Sequence, residues 1–258
     1  MSIAALLEPI AGNGETVTLP AAKWLQGRTL YGGASALVAY TAAIRAFPDL
    51  PPLRSAQIAF VAPVGAEVTP RAEIIRQGRN VTQVRVDLAV EGRPALTSLW
   101  LFGAGREANA VHRAEPVTPA PIPLRDAEPM MQGQGPEFIQ NNFELRRAAP
   151  SGGNSPASVR RWIRLKAQDD LDPTSRLVLL GDVMPPGAMR AMQRPGPLSS
   201  MNWALNLLDP FAETRDGWWL AENSSDHAGD GYSSERLRLW DADGRLVAIG
   251  QQAVAIFG

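Results

Sequence analysis

The feature that most constrains this chain is an internal repeat, because the order helix, strand, hairpin, strand is predicted twice along it. In the first copy a helix begins at Gly33, where the segment ASALVAYTAAIRAF places Leu37, Tyr40 and Ile44 at helical spacing. Strands are then predicted at SAQIAFVAPV, at the pair TPRAEIIRQGR and NVTQVRVDLAVEG, and at RPALTSLWLFG.

The second copy repeats this order with its own signals. Strand-like alternation is present in EFIQNNFELRRA and SVRRWIRLKA, and a helix is predicted near Asp172 and Pro173, with Asp172 or Thr174 as its N-cap. The strands MNWALNLLDPF, WWLAENSS, GYSSERLRLWDADG and RLVAIGQQAVAIF follow. DADG between two strands is typical of a hairpin.

A proline-rich segment separates the two copies. Residues 104–135 contain five prolines between positions 116 and 129, a density that blocks helices and central strands. We interpret this segment as a connector that runs over the surface, between an N-terminal half at 1–103 and a C-terminal half at 136–258. An α+β fold is predicted, in which the two sheets pair edge to edge and so hide their open edges. The alternative is two independent α+β domains on a flexible tether.

Composition excludes several classes of function. The 258 residues contain no cysteine and only two histidines, so disulfides, thiolate zinc sites, cysteine nucleophiles and all-histidine metal sites are excluded, and no cofactor is predicted. A net charge of -1 indicates no nucleic-acid partner. No segment reaches the ~20 apolar residues of a membrane helix, the first residues make a poor signal peptide, and we therefore expect a cytoplasmic protein.

Several motifs of low individual specificity occur in an order and spacing that resemble those of a known family. The resemblance covers nearly the whole chain except the connector. The motifs are LYGGASALVAYTAAI, IIRQGRNVTQVRVDLAVEG, RRWIRLK, MNWALNLLDPF, ENSSDHAGDGY and DGRLVAIGQQ. This pattern resembles the acyl-CoA thioesterase II-like family. The resemblance implies a double hotdog fold of two tandem halves, each with a long helix wrapped by a bent antiparallel sheet. It also implies a role in lipid metabolism, an acyl-CoA substrate and a homo-oligomer, dimeric or larger.

The family is taken to hydrolyse acyl-CoA without a covalent intermediate. An aspartate, a serine or threonine and a glutamine hold and polarise the attacking water. Counting back from the strand-ending Pro210, the resemblance assigns the aspartate position to Asn202, and it assigns the other two to Ser224 and Gln252. Because strand side chains alternate, Gln252 is expected to point into the cleft and Gln251 outward.

Asn202 departs from the family pattern, since an amide is essentially non-basic. Hydrolysis could have been lost and binding kept, it could proceed slowly by orientation alone, or Asp226 or His227 could supply the base. Those two residues lie in a turn-rich stretch that favours a solvated loop. The leading hypothesis is a thioester hydrolase, and the alternative is a non-catalytic acyl-CoA binder. A hydratase is disfavoured because no histidine lies near either predicted helix.

Gly32 and Gly33 open the first helix, where free N–H groups can polarise a thioester carbonyl. The alternative is a tight turn that needs glycine dihedral angles. Tyr31 is expected to pack at the same mouth. The acyl chain length, and whether the first half keeps a site of its own, are left open by the sequence.

Overall fold

The computed structural model describes residues 2–12, 14–131, 133, 135–149, 157–167 and 171–257. Its helices are α1 (Ile3–Leu7), α2 (Gly32–Ala46), α3 (Glu137–Asn142) and α4 (Pro173–Leu180). Its strands are β1 (Val17–Thr18), β2 (Leu25–Gln26), β3 (Thr29–Leu30), β4 (Leu53–Phe60), β5 (Glu67–Gln77), β6 (Val81–Val90), β7 (Arg93–Gly103), β8 (Phe143–Arg147), β9 (Ser158–Leu165), β10 (Leu198–Leu207), β11 (Trp219–Gly229), β12 (Tyr232–Trp240) and β13 (Leu246–Ile256).

One antiparallel sheet of eleven strands runs through both halves, in the order β1-β5-β6-β7-β4-β10-β13-β12-β11-β9-β8. The halves join where β4 pairs with β10, in a register that sets Ile58 opposite Trp203 and Ala56 opposite Leu205. These four side chains are buried, so the pairing hides two sheet edges and extends one core across the junction. The α+β prediction and the expected edge-to-edge pairing are confirmed, and the tethered-domain alternative does not describe this continuous sheet.

Helix α2 is buried almost all round, with every residue from Gly33 to Ala43 inside. A helix that is apolar or small on all faces needs partners on all faces. The first-half sheet covers one side and α4 the other. None of the helices in the described parts of the chain is long and apolar enough to cross a membrane.

Helix α4 begins as the sequence indicates. The side chain of Asp172 caps it by accepting a hydrogen bond of 3.0 Å from the amide of Ser175, and Pro173 occupies the first turn. The helix ends at Leu180, with Gly181 as its C-cap. This short helix delivers the next residue, Asp182, to the N-terminal end of α2.

Two local predictions were wrong. The segment EFIQNN, expected to be a strand, forms α3. Phe138 stacks on Tyr31, and the side-chain amide of Asn142 donates a hydrogen bond of 2.9 Å to the Phe138 carbonyl of this short helix. The stretch DHAG, expected to belong to a solvated loop, continues β11 to Gly229. The turn itself is confined to Asp230 and Gly231, both with positive φ as a tight hairpin requires.

The connector lies on the outer face of the second-half sheet. A small core of buried side chains forms there, made of Ala127, Ala148, Trp162, Trp218, Leu220 and Trp240. Trp162 Nε1 donates a hydrogen bond of 2.8 Å to the Ile122 carbonyl, and Arg160 donates one of 2.7 Å to the Pro119 carbonyl. The connector is therefore attached to the surface, as expected, although residues 132 and 134 lie outside the described residues.

The close approach of α2 and α4 generates a first prediction. A Cβ on Gly33 would clash with the Leu179 carbonyl oxygen and lie 2.7 Å from Tyr31 Cε2. We expect Gly33→Ala to lower the free energy of unfolding by about 1–3 kcal/mol, since the helices must separate to accept it. Thermal unfolding measures this. Gly65→Ala is the matched control, because a Cβ there meets nothing within 4 Å; equal stability of the two variants would contradict the prediction.

Candidate active site

A cavity of about 800 Å³ lies where the two halves meet, and both halves line it. The first half contributes the N-terminal end of α2 and the chain after β4. The second contributes α3, the residues after α4, the start of β10 and one residue of β13. Most of the wall is apolar, and its neutral or acidic polar groups include Ser35, Asp182, Ser199, Ser200 and Gln252. A largely apolar cavity with a few convergent polar groups is typical of a small-molecule site.

Asp182 is the single carboxylate among the described residues that line this cavity. Its Oδ1 accepts a hydrogen bond from Nε2 of Gln252, and its carboxylate also accepts one from the amide of Gly33. The residue keeps partial exposure, which it owes to its place in the cavity wall. One carboxylate thus connects the end of α4, the start of α2 and strand β13.

Burial raises the pKa of Asp182 to about 7, while the hydrogen bonds from Gln252 and Gly33 lower it by less. An ordinary aspartate has a pKa of about 3.9. Removal of water penalises the ionised form, and the two donors stabilise that form only in part. Near neutral pH both protonation states of Asp182 are therefore populated, which suits a group that takes up and releases a proton.

Gly32 is required by the position of this carboxylate. A Cβ at residue 32 would overlap Asp182 Oδ2 and lie 3.0 Å from the ring of Phe60. Neither Gly32 nor Gly33 has a positive φ, so the tight-turn alternative does not explain them. The two glycines instead allow a side chain and a neighbouring helix to approach the backbone of α2 closely.

Gln252 points inward, with 4% of its surface exposed, and Gln251 is exposed, as the alternation predicted. Ser200 shares this inner side of the sheet, because it pairs with the fully buried Val254. Both Ser200 and Gln252 line the cavity. A hydroxyl, an amide and a carboxylate therefore face one cavity.

Asn202 does not lie in the cavity wall. Its side chain is exposed, and its Oδ1 accepts a hydrogen bond of 3.0 Å from the amide of Ala253 on the neighbouring strand. A register shift between Ser200 and Asn202 accompanies this arrangement, and the next residue, Trp203, points into the core. Asn202 thus satisfies a backbone group of the neighbouring strand.

Ser224 lies on the face of the sheet opposite to the cavity. On β11 the buried Ala221 and Asn223 alternate with Glu222 and Ser224. The cavity wall contains no part of Ser224, so Asn202, Ser224 and Gln252 are not brought together.

The two residues considered as a replacement base are solvated. Asp226 and His227 are exposed on the outer part of β11. Asp226 forms an ion pair of 2.7 Å with Arg236 that is about half exposed. Neither residue lines the cavity, so neither is positioned to act on a ligand there.

Tyr31 lies behind the cavity wall. It is buried, its hydroxyl donates 2.8 Å to the Leu179 carbonyl, and its ring stacks on Phe138 at 4.4 Å between centroids. Burial, and then the charge of Asp182, raises the pKa of Tyr31 well above its usual range. Tyr31 therefore stays protonated and fixes the first turn of α2 against α4.

The sequence reasoning missed Asp182 and Ser200. Asp182 had a signal, since it is the one charged residue in the apolar run LVLLGDVM that ends a predicted helix. A lone carboxylate in such a run must be paired or functional, because isolated charges are rarely buried. Ser200 had no comparable signal, because its face depends on the register of β10 with β13.

Two tandem α+β halves around one shared cavity define the double hotdog class, and comparison with solved structures agrees. A hotdog-fold protein of unknown function from Alicyclobacillus acidocaldarius matches with a TM-score of 0.82 and 21% identity, covering 96% of this chain and 94% of that one. A candidate thioesterase II from Thermobifida fusca gives 0.82 and 21%, with 99% and 97% covered. Acyl-CoA thioesterase II TesB2 from Mycobacterium marinum gives 0.73 and 19%, with 89% and 91% covered.

Sequence models of the family identify the chain more closely. The acyl-CoA thioesterase N-terminal domain matches residues 20–103, and the acyl-CoA thioesterase C-terminal domain matches residues 116–256. A search of curated proteins finds no match. The chain belongs to the acyl-CoA thioesterase family, as its motifs indicated.

The raised pKa of Asp182 predicts a pH-dependent stability. Its folded value near 7 exceeds the unfolded value, so the stabilisation that protonation gives is complete below about pH 4 and is lost as pH rises through 7. The neutral isostere Asp182→Asn should therefore melt at a higher temperature than the native protein at pH 8, and the difference should shrink toward pH 4. Thermal unfolding across this range measures it. The exposed Asp226→Asn is the control, and a pH-independent difference for Asp182→Asn would contradict the assignment.

Proposed function

We propose that this protein hydrolyses acyl-CoA thioesters by direct attack of water, with Asp182 as the general base. The observation that carries the proposal is Asp182, the one carboxylate among the described residues of the cavity wall. Burial raises its pKa to about 7, and it contacts both Gln252 and the start of α2. Membership of the acyl-CoA thioesterase family supports the substrate class. The residue types implied by the family, an aspartate, a serine or threonine and a glutamine, are present in the cavity as Asp182, Ser200 and Gln252.

In the proposed reaction, ionised Asp182 takes a proton from a water molecule while the water oxygen attacks the thioester carbonyl carbon. The tetrahedral intermediate collapses, the carbon–sulfur bond breaks, and the proton on Asp182 passes to the leaving thiolate. The products are the free acid and CoA, and the carboxylate is restored. A base whose pKa lies near neutrality can accept and return a proton at the same pH.

Gln252 and Ser200 are proposed to hold the water. Because Nε2 of Gln252 donates to Asp182, its Oε1 is the atom left to accept from a water. Ser200 faces the same interior side and can donate or accept with its hydroxyl. Two oriented groups beside the base would hold the water in line with the carbonyl carbon. Fixing the reacting groups in this geometry lowers the entropic part of the barrier.

The start of α2 is proposed to polarise the thioester. The first N–H groups of a helix have no acceptor within the helix, and the dipole adds positive potential there. Gly32 lines the cavity at this point, and Gly33 directs its amide at Asp182. In this proposal Gly33 orients the base, and the N-terminal turn of α2 stabilises the developing oxyanion.

The non-catalytic binder was favoured by the absence of a carboxylate at position 202. A carboxylate at 182 in the cavity removes that reason, and the hydrolase is the better-supported function. Both functions would use the same cavity, and turnover distinguishes them.

The decisive variant is Asp182→Asn. Thiol release from short, medium and long acyl-CoAs should fall by about 10²–10⁴-fold, the usual contribution of a general base. In the native protein kcat should rise with pH through an apparent pKa near 7, because Asp182 must be ionised. Native-like turnover by this variant would contradict the proposal.

Two variants serve as matched controls for that experiment. Asn202→Asp and Ser224→Ala alter residues outside the cavity, so both should retain native turnover and its pH dependence. A gain of activity in Asn202→Asp, or a loss in Ser224→Ala, would support the family alignment that places the site at those residues.

The water-holding pair generates a separate prediction. We expect Ser200→Ala and Gln252→Leu each to reduce kcat by about 10–10²-fold, below the effect of losing the base. Ser200→Ala removes one hydrogen bond to the water, and Gln252→Leu removes both the bond to the water and the bond to Asp182. Gln251→Leu is the matched control, because its side chain points to the other face. Equal effects at positions 251 and 252 would contradict a cavity role for Gln252.

A further inference from the structure

The cavity carries more positive than negative charge. Arg28, Arg161 and Arg190 line it, whereas Asp182 is the single carboxylate among its described lining residues. Within the described part of the chain none of these three arginines forms an ion pair. Arginines gathered on one cavity without carboxylate partners present forked donors suited to phosphate or carboxylate groups of a ligand.

The position of Arg161 is electrostatically unfavourable for a cation, because the side chain is half-buried and lies near other arginines. It lies on β9, is half-buried, and uses one guanidinium nitrogen to donate 2.8 Å to the Arg160 carbonyl. Burial, then the charge of Arg190, then that of Arg147 lowers the pKa of Arg161. Its neighbour Arg160 instead points to the other face, where it pairs with Glu222. The fold thus balances the charge of Arg160 and leaves that of Arg161 facing the cavity.

The backbone that carries Arg190 is fixed by a buried carboxylate beneath it. It lies in the short 3-10 turn Gly187–Ala191. The buried carboxylate of Glu235 accepts hydrogen bonds from the amides of Gly187, at 2.7 Å, and Ala188, at 3.3 Å. A buried anchor under a surface turn fixes the backbone from which Arg190 extends, although the side chain itself is exposed.

We propose that Arg161 and Arg190 form a subsite for the phosphate groups of the CoA moiety, with Arg28 facing them from the first half. This inference rests on the proposed function, in that it takes a CoA thioester as the ligand. It assigns recognition of the carrier to these arginines, separately from the chemistry at Asp182. Arg76 and Arg79, which lie in the hairpin formed by β5 and β6, are exposed and lie outside the cavity wall.

The exposure of Arg28 and Arg190 favours the phosphates of CoA, rather than a carboxylate on the acyl chain, as the groups that the arginines bind. Arg28 and Arg190 are exposed, so they mark the rim of the cavity, where the nucleotide end of CoA meets solvent. An acyl chain is better matched by the buried apolar wall, which includes Phe138 and Val64. Guanidinium groups also bind carboxylates, and the test separates CoA phosphates from a carboxylate at the end of the acyl chain.

The test compares ligands with and without phosphates on the whole chain. The Kd of CoA, measured by titration calorimetry, should rise about tenfold or more in the double variant Arg161→Gln, Arg190→Gln, since two charge-assisted contacts are lost. The KM for an acyl-pantetheine, which has the thioester arm but neither the diphosphate nor the nucleotide, should be unchanged and would show that the variant is folded. The double variant Arg76→Gln, Arg79→Gln removes the same charge outside the cavity and should bind CoA as the native protein does.

Several outcomes would overturn the subsite. Native CoA affinity in the Arg161, Arg190 variant would do so, as would an equal loss in the Arg76, Arg79 variant or for acyl-pantetheine. A loss confined to succinyl-pantetheine, with butyryl-CoA unaffected, would assign the arginines to an acyl carboxylate instead. The proposed hydrolysis is tested apart from this: CoA binding that depends on the arginines without thiol release would refute hydrolysis alone, whereas turnover with arginine-independent binding would refute the subsite alone.

Discussion

The structure depends on one contact, the close approach of the end of α4 to the start of α2. Two glycines make it possible, because a Cβ at Gly32 would overlap the Asp182 carboxylate and one at Gly33 would clash with the Leu179 carbonyl. Tyr31 fastens the same point with its hydroxyl on Leu179. This contact between the two halves is therefore also the place where the Asp182 carboxylate is removed from water. A substitution that alters the packing there also alters the surroundings of that carboxylate.

A buried carboxylate opposes stability, and the surroundings of Asp182 moderate this effect without removing it. The Gln252 amide and the Gly33 N–H both stabilise the ionised form, yet desolvation dominates and the pKa stays near 7. More donors would lower the pKa and make a weaker base, whereas fewer would leave the group protonated at neutral pH. In the proposed mechanism, this partial compensation suits Asp182 to proton transfer near neutral pH.

Much of the fold was predictable because it rests on local signals. The repeat, the α2 helix, the Asp172 cap and the DADG hairpin follow from spacing and from single residues with strong preferences. The site was harder, since it depends on which face a strand residue takes. Gln252 was predicted to point inward correctly, whereas Ser224 lies one residue from the inward Asn223, and a shift of one position in a strand reverses the face. The count back from Pro210 leads to Asn202, and such a count carries no information on the register shift between Ser200 and Asn202.

The fused repeat makes an asymmetric site possible. In a pair of identical halves, every group near the seam would appear twice, and a buried carboxylate would have a second copy related to it by symmetry. Here the first half contributes the positive end of a helix through Gly32 and Gly33, and the second contributes Asp182, Ser200 and Gln252. The two halves contribute different groups to the cavity, while the pairing of β4 with β10 keeps them aligned. Each half holds only some of the groups that line the cavity, so the cavity forms only when the two halves are paired. Its positive helix end therefore lies on one side and its carboxylate on the other.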